Sequence, residues 1–97
     1  MAKYVKKAIP VEVWQCTYEN YIDNKSWPDF IHQALESGKL SKLECDHVNK
    51  IVSGEISTLE GKLFIENNAY IILGVKGEIY PGNKEIFEET YEVWNGV

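Results

Sequence analysis

Lys76, Glu78 and Tyr80 place a cation, a carboxylate and a phenol at alternate positions of one segment, Gly74-Val75-Lys76-Gly77-Glu78-Ile79-Tyr80. Lysine can hold a phosphate and a tyrosine ring can stack on a base, so the trio would suit a small nucleotide-like ligand. The plainer reading is that Glu78 and Tyr80 share one face of a strand and complete a sheet. Just beyond, Glu85, Glu88, Glu89 and Glu92 recur at i, i+3, i+4 and i+7. On a helix this spacing makes one acidic face, which either imitates nucleic-acid charge, docks on a basic protein, or is simply solvated.

Other chemistry finds less support. Cys45 and His47 lie two apart, but Cys16 and His32 stand alone and far away, whereas a zinc site shows paired ligands twice. Two reduced thiols and no metal are expected. His32 falls off the apolar stripe of its helix and is expected in solvent. No nucleophile elbow, phosphate-binding loop or zinc-protease motif occurs, and "GVKGE" has neither the glycine spacing nor the following Lys-Ser/Thr of a Walker loop. With fifteen acidic residues, carboxylate pairs arise by chance. No catalytic residues and no cofactor are expected.

Composition narrows the partners. The net charge is -5, and all ten strong positive charges are lysines. Without arginine the chain lacks the side chain best suited to bidentate phosphate and guanine contacts, so direct nucleic-acid binding is not expected. No apolar run approaches the ~20 residues that span a bilayer, and "MAKYVKKAIPVEVW" has no signal-peptide apolar region. A cytoplasmic protein with no membrane contact is expected.

The elements that must position these groups follow from periodicity. "VEVWQC" alternates as a strand behind Pro10, with Val11 and Val13 on one side and Glu12, Trp14 and Cys16 on the other. "SWPDFIHQALESG" predicts an amphipathic helix near residues 26–37. Ser26 and Asp29 would form its capping box, with Pro28 in the first turn and Gly38 as its left-handed stop. Its apolar face would be Trp27, Phe30, Ile31, Ala34 and Leu35. The middle reads as strands, with turns at Glu60-Gly61 and Asn67-Asn68. "AYIILGV" reads as a central strand covered on both faces. Asn83 would cap a short helix near 83–89 that buries Ile86 and Phe87. "TYEVW" alternates like a final strand. The sum is a single α+β domain over 1–97: a mostly antiparallel, curved or barrel-like sheet of about five or six strands carrying these two helices.

The C-terminal third resembles a family of small phage and prophage proteins of low-GC Gram-positive bacteria. The shared signature is Tyr70, Ile71, Ile72, Gly74, Val75, Gly77, Glu78, Tyr80 and Pro81, then Ile86, Phe87, Thr90, Tyr91 and Glu92. The opening "YVKKAIPVEVWQCT" and "TLEG" at Thr58–Gly61 are similar too. Two positions depart from the pattern: Asn67-Asn68-Ala69 replaces a Pro-Gly-Asp, and Gly82 stands where many members have Cys. The resemblance implies a phage-encoded protein but no activity. The expectation is therefore a non-catalytic binding protein acting inside the host cell, in counter-defence or host takeover. It would bind a host protein or sequester a nucleotide-like ligand through Lys76, Glu78, Tyr80, Glu85, Glu88 and Glu89. A virion or assembly accessory protein is one alternative, and an enzyme of unrecognised type the other; for the first, exposed Trp14 or Trp94 on an edge would signal a homo-oligomer that covers open strands.

Overall fold

A computed structural model describes residues 2–4 and 9–94. In chain order the elements are β1 (Glu12–Gln15), α1 (Tyr18–Ile22), a 3-10 turn (Asn24–Ser26), α2 (Asp29–Ser37), β2 (Leu40–Asp46), β3 (Ile51–Thr58), β4 (Gly61–Ile65), β5 (Tyr70–Leu73), β6 (Ile79–Gly82) and α3 (Lys84–Thr90). The fold is α+β, and the described residues form six strands with every strand pair antiparallel. The strands form two sheets, ordered β1-β5-β6 and β2-β3-β4, instead of one. No ladder joins β4 to β6, so the described residues form no closed barrel.

One core lies between the sheets and α2. β1 and β5 contribute Trp14 and Ile71, which sit directly opposite each other, and β6 adds Ile79. Val52, Ile56 and Ile65 come from the second sheet, Leu40 from β2, and Phe30, Ile31 and Ala34 from α2. Trp14 is therefore an anchor and no edge signal, while Trp94 is exposed. Adjacent Ile71 and Ile72 are both buried, as an apolar run on a doubly covered strand requires. Ile71 faces the common core. Ile72 points to the opposite face, where its side chain lies beside Gly82.

The helices correct the expected boundaries. α2 begins at Asp29, and Pro28 takes the cap position. The reason is local: a residue before proline is pushed out of the helical region, and Trp27 is extended at φ -60°, ψ 128°. Ser26 thus lies outside the helix, in the 3-10 turn, where its hydroxyl donates to the Asp23 carbonyl at 2.9 Å. Trp27 still reaches the core. Its indole N–H donates to the Asn20 carbonyl at 2.8 Å, and its ring meets Trp14 edge-on at 5.5 Å. Gly38 stops α2 in the left-handed region at φ 81°. His32 is exposed and lies against the Trp27 ring at 5.8 Å. The short α1 was not foreseen. Thr17 caps it by accepting from the Asn20 N–H at 3.1 Å.

At the C-terminus Asn83 caps α3 as expected, its side-chain oxygen accepting from the Glu85 and Ile86 N–H groups at 3.0 and 3.3 Å. Two expectations fail there. Ile86 is 66% exposed rather than buried. Residues 91–94 form no strand, which also leaves Glu92 off the helical face. The outer edge of β6 is poorly suited to receive a further strand. β5 bonds β6 through Gly74 and Glu78, and by alternation through Ile72–Tyr80 and Tyr70–Gly82, so the backbone polar groups of Ile79 and Pro81 point away from β5. Pro81 has no N–H to offer a further strand.

Candidate functional site

The glycine-bearing loop between β5 and β6 closes on itself. The Gly74 N–H donates to the Glu78 carbonyl at 2.7 Å, and the Gly77 N–H to the Gly74 carbonyl at 3.0 Å. Gly77 sits at φ 87°, where a side chain would be strained. Glu78 then folds its carboxylate back over Gly74 and accepts from the Lys76 N–H at 3.1 Å. A Cβ on Gly74 would overlap that carboxylate. The spacing Gly-x-x-Gly-Glu is thus the geometry of a carboxylate-capped turn.

Lys76 stands exposed in this turn, and Tyr80 lies half-buried on β6 opposite Ile72. Among the described residues no hydrogen bond or ion pair joins Lys76 to Tyr80. Burial, followed by the neighbouring Tyr91 hydroxyl, raises the Tyr80 phenol above its ordinary value.

Beside the loop, α3 is fastened to the outer face of the β1-β5-β6 sheet by stacked rings. Tyr70 on β5 stacks on Phe87 at 4.0 Å and 19°, and Phe87 stacks on Tyr91 at 4.5 Å and 13°. Glu88 lies at the rim of this stack. It accepts from the Tyr70 hydroxyl at 2.8 Å and from the Lys84 ammonium at 2.9 Å. These two bonds, Lys84 first, hold the Glu88 carboxyl below its ordinary value. In return Glu88 raises Lys84, while Tyr70 is raised first by burial and then by Glu88.

The helix is thereby split into two faces. Lys84, Phe87 and Glu88 serve the sheet. Glu85, Ile86 and Glu89 fall within about 100° of one another on the opposite side, and all three are exposed. The structure therefore brings together only part of the expected set. Glu85 and Glu89 share an outward face with Ile86, whereas Glu88 is engaged inward and Lys76, Glu78 and Tyr80 belong to the loop and strand beside it. Tyr70 and Tyr91 enter the sequence reading only as positions of the shared signature and Phe87 also as a buried helix residue; Lys84 does not enter it, and neither does the mount that the four build together. The i, i+4 spacings Lys84–Glu88 and Phe87–Tyr91 were the available signals.

"CDH" is also explained by turn chemistry. One Asp46 carboxylate oxygen accepts from the Val48 and Asn49 N–H groups at 3.0 and 3.2 Å, and the other from the Asn49 amide at 2.8 Å. These bonds lower the Asp46 carboxyl, the Asn49 side chain foremost. His47 pairs with the Tyr18 hydroxyl at 3.3 Å. Cys16 is fully buried, and burial pushes its thiol up to about 12. Among the described residues no three of His, Cys, Asp and Glu converge on a point. No described helix is long and apolar enough to cross a membrane.

No family model, curated protein or solved structure matches the chain.

Proposed function

We propose that this chain is a phage-encoded, non-catalytic binding protein that acts in the host cell by presenting the outer face of α3 to a basic protein. The observation that carries this reading is Ile86, a large apolar side chain 66% exposed between Glu85 and Glu89 on a helix whose other face is fully committed. An apolar centre rimmed by carboxylates fits a partner with a hydrophobic pocket among lysines or arginines. The mount supports it as well. Stacked rings and Glu88 hold α3 in place before any encounter, which reduces the ordering cost of binding.

The loop favours a protein partner over a nucleotide-like one. Glu78 is spent on the Lys76 N–H, the Tyr70–Phe87–Tyr91 rings stack on each other, and no arginine is present to fork a phosphate.

The test is capture from host lysate with the immobilised wild-type protein, Ile86→Ser, and Glu85→Lys/Glu89→Lys. Both variants should lose the same captured protein, and wild-type capture should weaken as salt rises. Retention of that protein by both variants would sink the reading.

A further inference from the structure

The two sheets have four edge strands, β1, β6, β2 and β4. An edge strand offers unpaired backbone groups, and proteins blunt such edges with proline, bulges, short length or charge. Three edges here are blunted. β1 has four residues and follows Pro10. β6 turns Pro81 outward. β2 breaks register between Ser41 and Glu44, with Lys42 at φ 53°.

β4 has neither proline nor bulge, and its last three residues are Leu63-Phe64-Ile65. Its outward groups can be identified. On β3 the Ser57 N–H donates toward β2, to the Lys39 carbonyl at 2.8 Å, and the Val52 N–H donates the other way, to Asn67 at 2.9 Å. By alternation Gly54, Ile56 and Thr58 bond to Ile65, Leu63 and Gly61, so Lys62 and Phe64 turn their N–H and C=O outward. The Phe64 ring is 69% exposed, and Leu59 at the hairpin tip is wholly exposed.

We propose that β4 pairs antiparallel with β4 of a second copy of this chain, Phe64 facing Phe64 across the two-fold axis. In that register each Lys62 lies opposite the second copy's Glu66, the residue just past β4, on the same face as the two rings. The edge is thus charge-complementary to itself. A register centred on Lys62 sets two lysines face to face, and one centred on Leu63 opposes Glu60 to Glu66. Phe64 supplies the central backbone bonds. Glu66 contributes through its side chain, because its carbonyl already accepts from the Ala69 N–H at 3.1 Å. One Glu66 carboxylate oxygen takes the Asn83 amide at 3.1 Å, leaving the other for lysine. Lys62 is only loosely held at home, 3.7 Å from Glu55. The product is a six-stranded sheet β2-β3-β4-β4-β3-β2 with isologous contacts, and it carries two α3 faces. Nothing in the pairing depends on what α3 binds.

Sedimentation velocity over a concentration series up to millimolar tests the pairing, with circular dichroism confirming that each variant is folded. The wild-type protein should reach dimer. Lys62→Glu and Glu66→Lys should each weaken self-association roughly ten- to thirty-fold, since two attractive cross-strand pairs become repulsive. An equimolar mixture of the two variants should regain a dimer, because every 62–66 pair between unlike chains is again opposite in charge. A wild-type protein that stays monomeric, variants that associate like wild type, or a mixture that regains nothing would each overturn the proposal.

Discussion

The two sheets are alike in strand number and differ in exposure. The β1-β5-β6 sheet is covered on both faces, by the common core at Ile71 and by α3 at Ile72, and Pro10 and Pro81 guard its edges. The β2-β3-β4 sheet is covered on one face. Its outer face carries Glu55 between Lys42 and Lys62, each 3.7 Å away, with the exposed Phe64 beside them. Two ion pairs this long, each to a well-exposed lysine, add little stability. Both sheets bury apolar groups in the common core, Ile71 and Ile79 on the first and Leu40, Val52, Ile56 and Ile65 on the second. The first sheet also buries Ile72 on the face that α3 covers, while the second leaves the Phe64 ring exposed on its outer face.

Truncating a buried residue of the first sheet's central strand and an exposed residue of the second sheet's edge strand tests this contrast most directly. Ile71→Ala removes a fully buried side chain from the middle of the first sheet. It should cost about 2–5 kcal/mol, a large share of a typical stability of about 5–15 kcal/mol. Phe64→Ala, on the exposed face of β4, should change the stability of the dilute monomer by less than about 0.5 kcal/mol. Urea titration at low protein concentration measures both. Equal losses would mean that Phe64 is a core residue and that the sheets do not differ in role.

A smaller effect sharpens the account of the loop. Gly74→Ala forces the Glu78 carboxylate aside, because the two cannot occupy the same space. A flexible side chain can swing away, so the cost is the lost bond to the Lys76 N–H, about 0.5–1.5 kcal/mol. Glu78→Ala should cost about the same. The double variant should cost little more than either alone, since both remove one interaction. Additive losses in thermal unfolding would show that Gly74 is needed for a reason other than Glu78.

The same contrast governs what the sequence disclosed. Alternation on the half-covered second sheet, the apolar run of β5, the Gly38 stop and the Asn83 cap are local signals, and each element stands where its signal lies. The division into two sheets was not legible, because it depends on β4 and β6 failing to pair, a relation between residues far apart in the chain. Ile86 was misread for a similar reason. Both Ile86 and Phe87 are apolar, and only the position of Tyr70 on β5 decides that Phe87 turns inward. Glu88 illustrates the site itself: its helical spacing with Glu85 and Glu89 was visible, but its bond to Tyr70 was not. The Asn67-Asn68 turn was legible from residue type, since Asn68 takes φ 71°.

The smallest effect concerns that Glu88 bond, and it tests whether the mount is electrostatic as well as aromatic. Lys84 and Tyr70 hold the folded Glu88 carboxyl below its ordinary value of 4.5. A carboxyl depressed on folding binds protons more readily in the unfolded chain, so its stabilising contribution is complete above about the ordinary value. The contribution disappears as pH falls through the lowered folded value. Glu88 is exposed at the rim, so solvent screening keeps the effect small. Glu88→Gln should therefore flatten the acid limb of the stability profile below the ordinary carboxylate range. Above neutrality the curve should run lower than wild type but parallel to it. Carbon-detected titration of the Glu88 carboxyl gives an independent reading: its midpoint should lie below the ordinary carboxylate value and should rise in Lys84→Met. A Glu88 midpoint at the ordinary carboxylate value would mean that the rings alone fasten α3. The second face of the helix would then owe its position to Tyr70, Phe87 and Tyr91, with no contribution from the carboxylate among them.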